Sequence, residues 1–216
     1  MQQGIFITGT DTDVGKTWVG SQLAAHLFQH GFDLTVKKPV ESGCPSREGQ
    51  LIPADATQYF HALKQTQSLE SICPYRFKAP LAPVQAARLE HIRINAQQLL
   101  VVCTAKEEEY LLVEGAGGFY SPMTEDGLNA DLAAALKLPV LLVAEDKLGC
   151  LNHILLTQRA VEAAGLSLSA IVLNQIDKPE DNLLNNADML REQLSTPIFE
   201  TCKDNWLEQL AVHVTP

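Results

Sequence analysis

The stretch GIFITGTDTDVGKTWVGSQLAAHLF, Gly4 to Phe28, constrains this chain more than any other. A run of β-preferring residues, Ile5 to Thr8, enters a loop bounded by Gly9 and Gly15, and Trp18, Val19, Leu23, Leu27 and Phe28 then recur at helical spacing up to Gly31. Strand, loop and helix in this order place backbone N–H groups and a helix N-terminus where an anion can sit. Lys16 then reaches terminal phosphates, and the Thr17 hydroxyl suits Mg²⁺. The common spacing of this motif would put the first glycine at Thr10, but the glycine is Gly9, so the loop is one residue longer. Phosphate binding by the residues from Asp13 and Val14 through Gly15, Lys16 and Thr17 is the first expectation.

Strand and helix patterns alternate along the rest of the chain. Strands are expected at 34–36, 110–113, 139–144, 169–173 and 197–199. Helices are expected at 53–63, within 93–104 behind Asn95 as a cap, at 129–136, from 148–152 to Ala164, at about 181–194, and at 206–211. The polar stretch 40–53 reads as a substrate loop, and the proline-bearing stretch 71–83 as an irregular crossing. This alternation predicts an α/β fold: a single doubly wound, mostly parallel sheet with helices on both faces, P-loop NTPase-like, with residues 1–216 as a single domain.

Composition narrows the function. The 216 residues carry a net charge of −10 without a Lys/Arg cluster, a poor match to nucleic acid or an anionic membrane. No apolar run approaches the ~18 residues needed to cross a bilayer. Met1-Gln2-Gln3-Gly4 leads straight into the first strand, so no signal peptide is expected. Cys44, Cys73, Cys103, Cys150 and Cys202 are scattered without a Cys-x-x-Cys pair, the usage of reduced thiols in a cytoplasm. His26, His30, His61, His91 and His213 read as surface or helix-end residues rather than metal ligands.

In doubly wound folds ligands bind beyond the carboxyl ends of the strands. The chemically notable residues collect there, one strand after another: Thr12 to Thr17, Lys38 to Ser42, Glu114 to Gly118, Gly149 to Asn152, and Asn174. Glu114 follows four apolar residues, as does a Walker-B acid facing Mg²⁺ directly or through water. Gly115, Ala116 and Gly117 would let backbone approach a ligand closely. Asp55 in the first turn of its helix is favourable on dipole grounds alone, and spacing leaves a metal role open. Lys37 and Lys38 alternate across a strand, so at most one faces the site.

Four motifs together, Thr8–Thr17, Lys38–Gly43, Val113–Gly118 and Lys147–His153, resemble those of the dethiobiotin synthetase family. The resemblance runs from Ile5 to about Asp177, and the last stretch of the chain matches poorly. It implies an ATP- and Mg²⁺-dependent ring closure in biotin synthesis, in which 7,8-diaminononanoate and CO₂ become a cyclic urea through a carbamate and a carbamic–phosphoric mixed anhydride. It further implies a cytoplasmic homodimer with the diamine lying across the subunit interface. By the same resemblance Lys16 and Lys38 are catalytic, and Thr17, Asp55 and Glu114 hold Mg²⁺. ATP would be held by Asp13 to Thr17, Asp55, Glu114 to Gly117 and, at the adenine edge, Asn174. The diamine or its carbamate would meet Thr12 and Ser42, and its carboxylate would meet Gly149, Cys150, Leu151 and Asn152 of the partner subunit.

Asp13 stands where the family often has glutamate, and 199–206 lacks the family's usual proline and apolar pattern. Two rivals share the P-loop. A cobyrinate-type amidoligase would need a glutaminase domain, for which the chain has no room. A partitioning-type switch ATPase would carry an early second lysine, where this chain has Asp11 and Asp13.

Overall fold

The computed structural model describes residues 2–176 and 185–215. The opening stretch forms β1 (Gly4–Gly9) and α1 (Lys16–Gln29), joined by the glycine-bounded loop. Next come β2 (Leu34–Lys37), β3 (Val40–Glu41), β4 (Ser46–Arg47), β5 (Gln50–Leu51), α2 (Ala54–Ala62) and α3 (Leu69–Ile72). β6 (Tyr75–Arg76), α4 (Pro83–Leu89), α5 (Ala96–Val102), β7 (Tyr110–Gly118) and α6 (Asn129–Leu136) make up the middle of the chain. The remainder holds β8 (Val140–Glu145), α7 (Cys150–Ala163), β9 (Leu168–Asn174), α8 (Asn186–Gln193), β10 (Ile198–Glu200) and α9 (Trp206–Val214).

Six of these strands form one sheet in the order β10-β9-β8-β1-β7-β2, with every neighbouring pair parallel. A parallel sheet must be covered on both faces, which is why Leu141, Leu142 and Val143 are all fully buried. The two-residue period of β1 divides the core: Ile5 and Ile7 pack with α1, α2 and α9, whereas Phe6 packs with α4, α5 and α6. Thus α1 leaves β1 toward one face and α6 leaves β7 toward the other. The strand ends part there, and a crevice opens between them.

The proline-bearing crossing is more ordered than its sequence suggests. β6 within it pairs with β3 as a parallel two-stranded sheet, and Pro83 opens α4, where a missing N–H costs nothing. The polar loop 40–53 contains the antiparallel hairpin of β4 and β5. β7 does not stop at Glu114 but runs on to Gly118. Asn95 caps α5 as expected, in a capping box with Gln98. Of the helix expected at about 181–194, the beginning lies outside the described residues, and α8 accounts for the rest.

Candidate functional site

The site is built first from backbone. Gly15, at φ 91°, turns the loop through the left-handed region into the first residue of α1. A Cβ there would also lie 2.0 Å from Asn174 Nδ2, so glycine is required twice over. Asn174, at the end of β9, donates from Nδ2 to Val14 O at 3.1 Å and accepts from Thr201 Oγ1 at 3.3 Å. Lys16 folds back over the loop and donates from Nζ to Asp11 O at 2.7 Å.

Beside this loop the strand ends deliver a charged cluster. Lys38, just after β2, is buried and ion-pairs with Asp55 Oδ2 at 2.8 Å and Glu114 Oε1 at 2.5 Å. It donates also to Gly115 O at 3.1 Å. Glu114 is fully buried at the end of β7's apolar run, and its Oε1 also accepts from Thr17 Oγ1 at 2.8 Å. Of the two consecutive lysines Lys38 alone faces this cluster, since Lys37 Nζ reaches away to Ser71 O at 3.0 Å.

Charge balance follows from these contacts. Burial works against the Lys38 ammonium, but Glu114 and Asp55 outweigh it and hold the amine protonated well above its ordinary range. Burial would likewise raise the Asp55 carboxyl, yet Lys38, with help from Thr17 and Lys16, keeps it below the usual range. Lys16 is lowered, by burial first and by Lys38 second. Glu41 is pushed up to about 7 by burial and by the nearby Asp55 charge.

A cavity of about 380 Å³ opens over the cluster. Thr12, Asp13, Gly15, Lys16, Thr17, Lys38, Ser42, Asp55, Ala116 and Gly117 line it. Val14, Glu114 and Gly115 stand behind this lining, and Asn174 braces the loop from beneath. Asn129 fixes the far wall: its side chain accepts from Ala116 N at 3.0 Å and donates to Ala116 O at 2.6 Å and Gly118 O at 2.8 Å. Gly149, Cys150, Leu151 and Asn152 do not line the cavity. They begin α7 at the same sheet edge, with Gly149 at φ 90° and Asn152 exposed.

Among the described residues no group of three His, Cys, Asp or Glu side chains is placed to hold a metal on its own. Thr17, Asp55 and Glu114 still fit Mg²⁺: they offer hard oxygens around a spot already holding the Lys38 ammonium, and they leave other positions to phosphate and water. Two participants escape the motif reading. Glu41 accepts from Asp55 N at 3.0 Å and Ala56 N at 3.1 Å, capping α2. Tyr59 donates from its hydroxyl to Glu114 Oε2 at 2.6 Å. The signal for Tyr59 was its place four residues after Asp55, on the same helix face; Glu41 lies within the Lys38–Gly43 motif, at the one position there that the motif leaves open.

A protein-family model described as an AAA domain matches residues 3–210. Over 212 residues the chain is 36% identical to an ATP-dependent dethiobiotin synthetase BioD of Rhodopirellula baltica, covering 92% of this chain and 83% of that one. It is 46% identical over 181 residues to the protein of the same name from an Anaeromyxobacter species, covering 83% and 79%. With that of Bacillus subtilis subsp. natto it shares 38% over 201 residues, covering 91% and 85%. Among solved structures, the signal recognition particle receptor FtsY of Elizabethkingia anophelis superposes with a TM-score of 0.52 at 12% identity, covering 99% of this chain and 65% of that one. That likeness is one of fold.

Proposed function

Since this chain belongs to the dethiobiotin synthetase family and is an ATP-dependent ligase of biotin biosynthesis, we propose that it closes 7,8-diaminononanoate and CO₂ into dethiobiotin, releasing ADP and phosphate. The observation that carries this reading is Lys38, a buried ammonium between Glu114 and Asp55 on the wall of the phosphate-loop cavity. A phosphate-binding loop alone would serve any nucleotide switch. A second, permanently charged amine facing it suits a substrate that is itself an anion.

One amine of the substrate takes up CO₂ and loses a proton, giving a carbamate. Thr12 and Ser42, which line the cavity, receive it in this reading. A carbamate oxygen then attacks the γ-phosphorus of ATP, ADP departs, and a mixed anhydride remains. Lys16 and Lys38 bear on the transferring phosphoryl and the carbamate, where negative charge concentrates in the transition state. Mg²⁺, held by Thr17, Asp55 and Glu114, would neutralise charge on the β- and γ-phosphates. The second amine, unprotonated, attacks the carbonyl carbon, phosphate leaves, and the ring is closed.

Asp13 to Thr17 and Gly115 to Gly117 cradle the triphosphate in this reading, and Asn174 lies toward the adenine. Gly149 to Asn152 take the diamine's carboxylate at the start of a helix, where backbone N–H groups favour an anion. Because they lie outside this chain's own cavity, the reading assigns them to the site of the second subunit in a cytoplasmic homodimer. No helix among the described residues is long and apolar enough to cross a membrane.

Phosphate release from MgATP with bicarbonate tests the proposal, measured with and without the diamine and paired with mass spectrometry. Release that requires the diamine, with a product heavier by CO₂ less water, is expected. Release indifferent to the diamine, with no new product, would replace the ligase reaction by that of a switch ATPase.

A further inference from the structure

We infer that Tyr59 is a positioning residue that makes Glu114 a one-oxygen partner for the bound cation, and so sets the preference of the site for Mg²⁺ over larger divalent ions. The inference rests on the proposed metal role of Glu114. The two carboxylate oxygens are not equivalent. Oε1 receives Thr17 Oγ1 and Lys38 Nζ on the cavity side, whereas among the described residues Oε2 receives the Tyr59 hydroxyl alone, at 2.6 Å. Tyr59 is fully buried, and its hydroxyl is the donor in this contact.

The chain makes room for this contact at a cost elsewhere. Gly20 sits inside α1, where glycine is an unfavourable residue. A Cβ at Gly20 would lie 2.0 Å from the Tyr59 hydroxyl oxygen and 2.9 Å from Ile7 Cδ1. The glycine therefore opens the passage by which a side chain of α2 crosses the phosphate-loop helix to reach the end of β7. The close approach of Ile7 on β1 to the same position adds to the need for a missing side chain.

With Oε2 held from behind by Tyr59, turning both oxygens toward a cation would strain or break that hydrogen bond. Mg²⁺ takes small octahedral shells and single carboxylate oxygens, whereas Ca²⁺ accepts wider, bidentate ones. Fixing the orientation of a metal-facing carboxylate from behind is worth about 10-fold in affinity or more. Tyr59→Phe keeps the ring and its packing and removes only the donor.

The test is calorimetric titration of Mg²⁺ and of Ca²⁺ into the ADP complex of the wild-type and Tyr59→Phe proteins, beside their thermal midpoints without metal. Mg²⁺ affinity is expected to fall about 10-fold in the variant while Ca²⁺ affinity falls less, so that the ratio between the ions narrows. A lowered midpoint with an unchanged ratio would reduce Tyr59 to an ordinary buried hydrogen bond and overturn the inference. Wild-type protein that binds neither ion with ADP would overturn it as well. Diamine-dependent product formation by the wild type separates that failure from a failure of the proposed reaction. Gly20→Ala, whose Cβ would press on the Tyr59 hydroxyl, should narrow the ratio in the same direction.

Discussion

At the scale of single residues, the site is governed by which charges are compensated. Lys38→Ala removes the ammonium that bridges Glu114 and Asp55 while leaving the backbone cradle of the phosphate loop intact. Ring closure is expected to slow by roughly 10²–10³-fold, the scale of losing a donor aimed at developing charge. ADP affinity, measured by calorimetry, should change far less. Near-normal turnover in that variant would remove Lys38 from the reaction. Glu41 yields a prediction of opposite electrostatic character. Its carboxyl holds a proton to about 7 in the folded chain, against an ordinary 4.5. The folded state therefore binds more protons than the unfolded one between those values, and stability must fall as pH rises through that window. Each tenfold difference in proton affinity is worth about 1.4 kcal/mol. Asp55 acts with the other sign: its depressed carboxyl stabilises above the unfolded carboxylate range and loses that effect in acid. In nucleotide- and metal-free protein, Glu41→Gln should flatten thermal midpoints between about pH 5 and pH 7. A slope in the variant equal to that of the wild type would show that another group controls it.

At the scale of elements, β7 matters most, because it continues past its acid into Gly115–Gly118 and is tied to α6 by Asn129. Asn129→Ala leaves the Ala116 N–H and two carbonyls without that partner. A loss of roughly 1–3 kcal/mol in chemical denaturation is expected, with activity falling further than stability because Ala116 and Gly117 line the cavity. Full activity despite lost stability would show that this wall serves packing alone. The course of β7 also marks where local sequence signals end. Its apolar run, like those of β1 and β8, is legible because burial on both faces demands it. So are the Asn95 cap and the turn at Gly31, which are local chemistry. The glycines after Glu114 read as a loop; the strand bulges there, with Gly117 at φ 75°, and Gly118 returns to pair with Gly9 of β1 while Asn129 holds Ala116 and Gly118. β3 and β6 are two residues each and exist because distant segments meet, which no periodicity records. The site divides in the same way. Lys16, Thr17, Lys38 and Glu114 are visible as strand-end residues, whereas the partnership of Tyr59 with Gly20 belongs to helix packing and has no motif.

At the scale of the whole molecule, the question is whether one chain makes a complete site. The cavity holds Lys38 and the phosphate loop, but Gly149 to Asn152 lie outside it. In the proposed two-fold dimer each site takes its phosphate chemistry from one subunit and its carboxylate contact from the other. Asn152→Asp places a negative charge at the proposed carboxylate contact, so the KM for the diamine should rise while ADP affinity is retained. An unchanged KM would remove α7 from the substrate site. Mixing decides the geometry. A heterodimer of Lys38→Ala and Asn152→Asp chains has one site with both defects and one with neither, provided the two residues act across the interface. Subunit exchange at equal concentrations should then restore roughly a quarter of wild-type activity at low diamine, since half the dimers carry one intact site of two. If both residues serve the same chain's site, every site in the mixture carries one defect or the other, and activity stays at the average of the two variants. Recovery above that average requires the shared site, because no arrangement within single chains can bring an intact Lys38 and an intact Asn152 together in that mixture.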